Sequence, residues 1–371
     1  MSTASREKKP RILWMEALRI IAAFLVIVNH TNSDVFQMSH PGQVTWHLSI
    51  LWYYVCKLAV PVYVMITGAL MLYRQDSWKK TLSRVLRVLA ALFCASYVYF
   101  LYDAWAHWGL WPRAFRLDIL LGKIVRMEIT DGFWYLYFYL AILLTMPLWQ
   151  WLHQKMNQSQ QLLLMVCCFT LNGALPLIGH YVPWLSMLES PLLPYVPLGY
   201  LGLLFAGDQI RHHLTVGKRT GLMAGVIFMA ALVLAWLLTW LEYFRVEPGS
   251  KYWFMDHRMV PALPVILEAI AAMILARCIG EKGKTVEAPD GPVAPKTSWR
   301  STLIAELGGC AFGIYLAQDL IIAETEKRLF MPLCTQMPPM VAVLIWECIV
   351  FLIALTGIWL LRRIPLLRRI L

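Results

Sequence analysis

A chain of 371 residues that is 59% hydrophobic and only 15% charged, with a mean hydropathy of +0.59, lies outside the composition of soluble domains and reads as a polytopic membrane protein. The formal charge of +11 does not point to nucleic acid, because the basic residues sit in short clusters between apolar runs, as topology requires. Eight cysteines, scattered mostly through apolar runs with no Cys-x-x-Cys and no pairing with histidine, read as packing residues and give no metal-ligand set.

The basic start, REKKPR, precedes an apolar run, but Glu16 and Arg19 interrupt that run and no small-x-small cleavage site follows Val28. The segment is therefore read as a retained first span. Windows of about 20 apolar residues place spans near 12–32, 48–73, 84–103, 133–152, 161–179, 194–211, 220–243, 259–280, 302–324 and 338–361, about ten in all. The fold class is an all-α membrane helix bundle, a single domain over 1–371.

Alternate connections are basic: Arg6 to Arg11 at the start, Arg74 to Arg87 after span two, Arg211 to Arg219 after span six, Arg277 to Arg300 after span eight, and Arg362 to Arg369 at the end. The positive-inside rule puts these in the cytoplasm, with both termini. One outer connection disagrees. Positions 113–130 alternate Arg113, Arg116, Lys123 and Arg126 with Leu and Ile at helical spacing. They read as an amphipathic surface helix whose basic face meets anionic lipid or acidic glycan, or is merely solvated. Pro191, Pro194 and Pro197 give span six either an irregular, cavity-lining start or a rigid outer loop. Segment 281–300 is a polar Pro/Gly loop on the cytoplasmic side, and Trp and Tyr near span ends fit interfacial belts.

With no soluble catalytic domain, chemistry must lie inside the bundle, and segment 14–34 is where it concentrates. Glu16, Arg19 and His30 lie in an apolar run, where a charge costs roughly 2.5–3.5 kcal/mol and calls for a partner or a wet cavity. Arg19 and His30 share one helix face, about 16 Å apart along the axis, Arg19 toward the cytoplasm and His30 toward the outside. Glu16 is placed to pair with Arg19 on the adjacent turn. Roughly 21 Å from His30, it cannot orient the imidazole; Asp34 or a carboxylate from another span is left for that role. His30 is a candidate general base, the plain alternative being an interfacial histidine. Gly68, in span two, costs about 1 kcal/mol against Ala and signals close backbone approach. Arg74, Lys79, Lys80, Arg84 and Arg87 form a cytoplasmic basic cluster suited to a phosphorylated nucleotide, or serve topology alone.

These residues resemble the acyltransferase-3 family of integral membrane O-acyltransferases. The arginine, ten residues, histidine spacing of that family's first span reads Arg19 to His30 here, with Glu16 as its preceding acid. PVYVMITGALML (61–72) looks like the run P-V-F-F-M-I-S-G-Y-L, FWYLYFYLAILLTMPLW (133–149) like L-W-F-L…P-L, and FGIYLAQDLII (312–322) like G-I-Y-L-x-H-x-L-I. The likeness covers most of the chain and is nearest the branch that acetylates surface polysaccharides. Three departures stand out. Ile20 replaces Gly, Thr67 replaces Ser, and Gln318 sits where the family often has His and cannot act as a base. Asp319 beside it is an intramembrane acid without an assigned role.

The resemblance implies an acyl-CoA co-substrate, most often acetyl-CoA, with no bound cofactor or metal. It implies a sugar hydroxyl of a surface polysaccharide or lipid-linked glycan as acceptor, and a bacterial inner-membrane location. Combined with the residues, donor phosphates dock around Arg74, Lys79 and Arg84, pantetheine passes Arg19, and His30 activates the hydroxyl or first takes the acyl group itself. Trp134 and Tyr135 stack on the sugar or belong to the belt. Asn29, about 100° around the helix from His30, is a poor oxyanion donor. Acetyl and succinyl donors, and a homo-oligomer, stay open. The rival readings are a transporter, which predicts inverted repeats that the sequence does not display, and a silent partner in glycan assembly.

Overall fold

The computed structural model describes residues 12–108, 116–188, 198–245, 262–281 and 299–370. Among them every regular element is helical. The helices are α1 (Leu13–Thr31), α2 (Ser33–Gln37), α3 (Val44–Cys56), α4 (Ala59–Met71), α5 (Trp78–Asp103), α6 (Leu117–Val125), α7 (Trp134–Lys155) and α8 (Gln158–Phe169), followed by α9 (Leu175–Tyr181), α10 (Leu198–His212), α11 (Lys218–Tyr243), α12 (Leu263–Glu281), α13 (Trp299–Gly308), α14 (Ala311–Thr325), α15 (Met331–Gln336) and α16 (Pro339–Leu361).

Eight stretches among the described residues are long and apolar enough to cross a membrane, and a ninth arises if the pair α13 and α14–α15, bent by 53°, counts as one span. The sequence led to ten. The difference is span six, of which the described residues begin only at Leu198, as the 15 residues of α10. The prolines expected to shape its start, Pro191, Pro194 and Pro197, lie outside the described residues, as do Arg113 and 282–298 of the polar loop.

Several spans are broken. Span two changes from α3 to α4 at Lys57–Leu58, and span five passes from α8 through a π-helical turn, Thr170–Ala174, into α9. A broken backbone at membrane depth is tolerated where protein or cavity supplies partners; Leu58 at the first break and Asn172 at the second are buried, whereas Leu171 is exposed. The surface helix expected at 113–130 is present as α6. It buries Leu120 while Leu117, Leu121 and Val125 stay exposed.

The first span is the hub. Helix α1 packs against α3, α4, α12, α13, α14 and α16, and Trp14, Met15, Leu18, Ala22, Leu25 and Val26 of its inner faces join the main core. The lipid-facing extreme is α11, whose Leu222, Val226, Met229 and Val233 are exposed.

Helices α4 and α10 approach backbone to backbone, and two glycines make it possible. A Cβ on Gly68 would fall 1.9 Å from the Leu204 carbonyl oxygen, and one on Gly207 would fall 1.9 Å from that of Met65. The approach expected at Gly68 is thus reciprocal, backbone against backbone, the packing that small residues permit between membrane helices.

Candidate active site

Two polar poles sit on α1. At the first, the Arg19 guanidinium donates through Nη1 to Glu16 Oε1 at 2.8 Å, the i,i+3 pairing that the spacing forecast. Glu16 is 6% exposed. It fits because residue 308, at the bend of span nine, is a glycine: a Cβ there would lie 2.4 Å from Glu16 Oε2. Tyr63 of α4 donates its hydroxyl to the Arg19 backbone carbonyl at 3.2 Å, tying the second span to this pole.

The other pole answers which group faces His30. His30 Nδ1 lies 3.8 Å from Asp319 Oδ1, and the side chains are 24% and 15% exposed. Asp319 is held from its far side, accepting the Thr130 hydroxyl at Oδ2 (2.7 Å). Gly132 leaves room for the carboxylate, since a Cβ there would fall 2.2 Å from Oδ2. Tyr315 donates to the Gly132 carbonyl, and Tyr99 donates to the Leu316 carbonyl (3.1 Å) and accepts from the Leu320 amide (3.3 Å). The turn before α7 is thereby fixed on α14, and Asp319 is presented to α1. The carboxylate sought for His30 comes from another span. The alternative, Asp34, has a side chain outside the described residues.

Asn29 points away from the imidazole, as the helix geometry required. Its Oδ1 accepts from Lys57 Nζ at 2.7 Å, and Lys57, at the α3–α4 break, also lies 4.2 Å over the Tyr53 ring. Next to His30, Thr31 donates to Glu347 Oε1 and Trp52 donates to Glu347 Oε2, each at 3.0 Å. Gln318 is fully buried and neither of its amide atoms has a partner among the described residues.

The basic cluster expected to take donor phosphates divides in two. Asp76, in the loop after α4, accepts from Lys80 and Arg84, each at 2.5 Å, with its own side chain 1% exposed. Burial pushes the Asp76 carboxyl up, yet the hydrogen bonds and charges of Arg84 and Lys80 outweigh it and bring it down to about 2. Arg74 and Lys79 are exposed, and Arg74 lies near Arg211, whose Nη1 donates to the Ala69 carbonyl at 2.7 Å. Beside this loop, buried His153 and Asp208 approach to 2.8 Å, and Gln150 donates to the Met71 carbonyl at 2.9 Å.

Tyr135 turns inward, meeting Tyr63, Tyr139 and Tyr315, while Trp134 packs on Tyr135 and Phe138 of its own helix. Among the described residues no group of three or more His, Cys, Asp or Glu could hold a metal ion.

Sequence reasoning missed Thr130, Gly132, Lys57, Glu347, Glu268 and the His153–Asp208 pair. The acids and Lys57 carried the same signal that exposed Glu16 and Arg19, a charge within an apolar run. Thr130 and Gly132 carried none, since their importance comes from where α14 lies.

The described residues thus form a helix bundle of membrane-spanning length with paired ionisable groups among its apolar spans and an imidazole facing a carboxylate. Matched against family profiles, residues 12–363 fit the acyltransferase-3 family, described as an acyltransferase domain. The chain belongs to that family and is a multi-pass membrane acyltransferase. No curated protein and no solved structure matches it.

Proposed function

We propose that the protein transfers an acyl group, most simply acetyl, from cytoplasmic acyl-CoA to a sugar hydroxyl of a surface polysaccharide or its lipid-linked precursor, in a bacterial inner membrane with both termini inside. The observation that carries this reading is the His30–Asp319 pair, anchored by Thr130 and opening off the same helix face as Arg19.

Asp319 at Nδ1 favours the tautomer that carries its proton there, leaving Nε2 to act as base; apo catalytic contacts of this kind tighten when substrate binds. In the transfer, His30 Nε2 takes the proton of the sugar hydroxyl as its oxygen bonds to the thioester carbon. The carbon–sulfur bond then breaks, and the imidazolium returns the proton to the CoA thiolate. Asp319 stabilises the imidazolium between these steps. Arg19 neutralises charge on the incoming donor, while Arg74 and Lys79 hold its phosphates and Arg84 shapes the loop through Asp76. Trp134 offers the sugar an aromatic face.

Purified protein in lipid nanodiscs, supplied with radiolabelled acetyl-CoA and membrane glycan, should place label on the glycan. Absence of label from wild type, or undiminished transfer by His30→Ala, would refute this function.

A further inference from the structure

Helix α6 takes no part in the transfer scheme, yet it ends next to the reacting pair. It holds nine residues, about 14 Å of helix, too few to cross a bilayer. Leu117, Leu121 and Val125 recur every four residues as one exposed apolar stripe, and Met127 beyond it is exposed too, while Leu120 is buried. The cations of the segment do not gather into a basic face for an acidic glycan. Arg116 is held by the Asp118 carboxylate at 2.6 Å and Lys123 by Asp103 at 3.4 Å, and exposed Arg126 is followed by exposed Glu128.

The span that leads to α6 already faces lipid. Helix α5 exposes Leu82, Leu86, Leu89 and Phe93 at helical spacing, as the outer stripe of a span does, and Val98 and Trp105 carry exposed apolar surface to its end. Helix α6 packs on that end, where Lys123 reaches Asp103 and lies 6.0 Å from the Phe100 ring centroid. On its other side Tyr137 of α7 donates to the Ile124 carbonyl at 2.6 Å. A short helix tied to the ends of two spans, with an exposed apolar stripe, has the build of an interfacial helix whose apolar face sinks into the boundary of headgroups and acyl chains.

From there a defined turn leads to the site. Helix α6 stops in a Schellman cap, the Met127 amide donating to the Ile124 carbonyl at 3.1 Å and the Glu128 amide to that of Lys123 at 2.8 Å. Met127, at φ 59°, holds the left-handed position that usually falls to glycine. Ile129 then packs on the main core, and Thr130 donates its hydroxyl to Asp319 Oδ2 at 2.7 Å. The seat of α6 therefore bears on where Thr130 stands against the carboxylate that faces His30.

We propose that α6 docks on phospholipid, its Leu117, Leu121 and Val125 stripe seated in the leaflet at the end of the bundle that holds His30, and that this seat steadies the Thr130 turn on Asp319. Its effect on transfer rests on the acyltransferase reading above; the seat itself does not.

Full-length protein in nanodiscs of phosphatidylethanolamine and phosphatidylglycerol, doped with a phospholipid carrying a diazirine near the start of its acyl chain, is illuminated, and labelled peptides are identified by mass spectrometry. Label should fall on 117–127 of wild type and be lost there in the double variant Leu121→Glu with Val125→Glu. The double variant should also speed amide exchange across 128–133 roughly tenfold or more, since two apolar side chains lose their lipid contact. It should lower kcat and leave donor KM unchanged. Leu121→Phe with Val125→Leu, which keeps the stripe apolar, should match wild type in each readout. Leu121→Gln alone gives the same reading should the acidic variant fail to accumulate. Wild type without label on 117–127, label there only after the glycan is removed, or exchange across 128–133 unchanged by the acidic variant would overturn the seat. Faster exchange with an unchanged kcat would overturn its effect on transfer. Labelling and exchange need no substrate, so a wild type that transfers no acyl group would refute the function and leave the seat standing.

Discussion

The two poles of α1 differ in how their charges are kept. Glu16 and Arg19 are one turn apart on a single helix, joined at 2.8 Å, with the acid sealed under Gly308. His30 and Asp319 come from the first and the ninth spans, stand 3.8 Å apart, and keep 24% and 15% of their side chains accessible. A contact closed by the local helix is already satisfied when the helix forms. A contact assembled from distant spans, and left slightly open, has capacity for a third participant. The first pole is accordingly built to persist, and the second is the one on which the proposed function rests.

That contrast can be attacked at several strengths. Replacing His30 with Ala should cut transfer by about 10³-fold or more with little change in thermal stability, because general-base catalysis is removed from a half-accessible site. A stability loss comparable to that of a core substitution would show the imidazole to be a packing group. Asp319→Asn should lower kcat by about 10²-fold and leave donor KM nearly unchanged, since the amide keeps the shape but no longer stabilises the imidazolium. At the other pole, Arg19→Leu strands Glu16 and should cost about 3 kcal/mol in unfolding measurements, whereas the double variant Glu16→Leu with Arg19→Leu should regain most of that stability without regaining donor turnover. Recovery of activity in the double variant would make the pair purely architectural.

The smallest effect is expected at the loop. Asp76→Asn should raise donor KM several-fold and remove about 2 kcal/mol of local stability. The folded carboxyl is lowered to about 2, so its contribution is fully present above the unfolded value near 4 and fades only as pH falls through about 2. Donor KM profiles between pH 5 and 8 should therefore show no inflection from Asp76; an inflection that Asp76→Asn abolishes would contradict the charged pairing of Asp76 with Lys80 and Arg84.

What was readable in the sequence followed the range of the interactions. The Glu16–Arg19 pair, the shared face of Arg19 and His30, the turn of Asn29 away from the imidazole and the tight approach at Gly68 all depend on helix periodicity, and the structure shows each. Periodicity does not reveal which span comes to lie beside another, so Asp319 remained an acid without a role until α14 was seen against α1. The neighbours of Tyr135 were hidden for a related reason. Its place near the end of an apolar run fits a belt or a sugar platform equally well, and only the neighbouring rings of Tyr63 and Tyr315 show that it faces inward.

The reciprocal glycines have a consequence for how this protein can vary. At most positions in a packed interior a larger side chain can be accommodated when a neighbour is trimmed. At Gly68 and Gly207 the atom in the way is a peptide oxygen, common to all amino acids, so no second-site substitution can make room. The loop with Arg74 emerges just beyond this contact, and so does Arg211 on the partner helix. The two cations are in effect mounted on a single axle: a library that randomises the loop can search freely, but one that randomises either glycine will return only glycine.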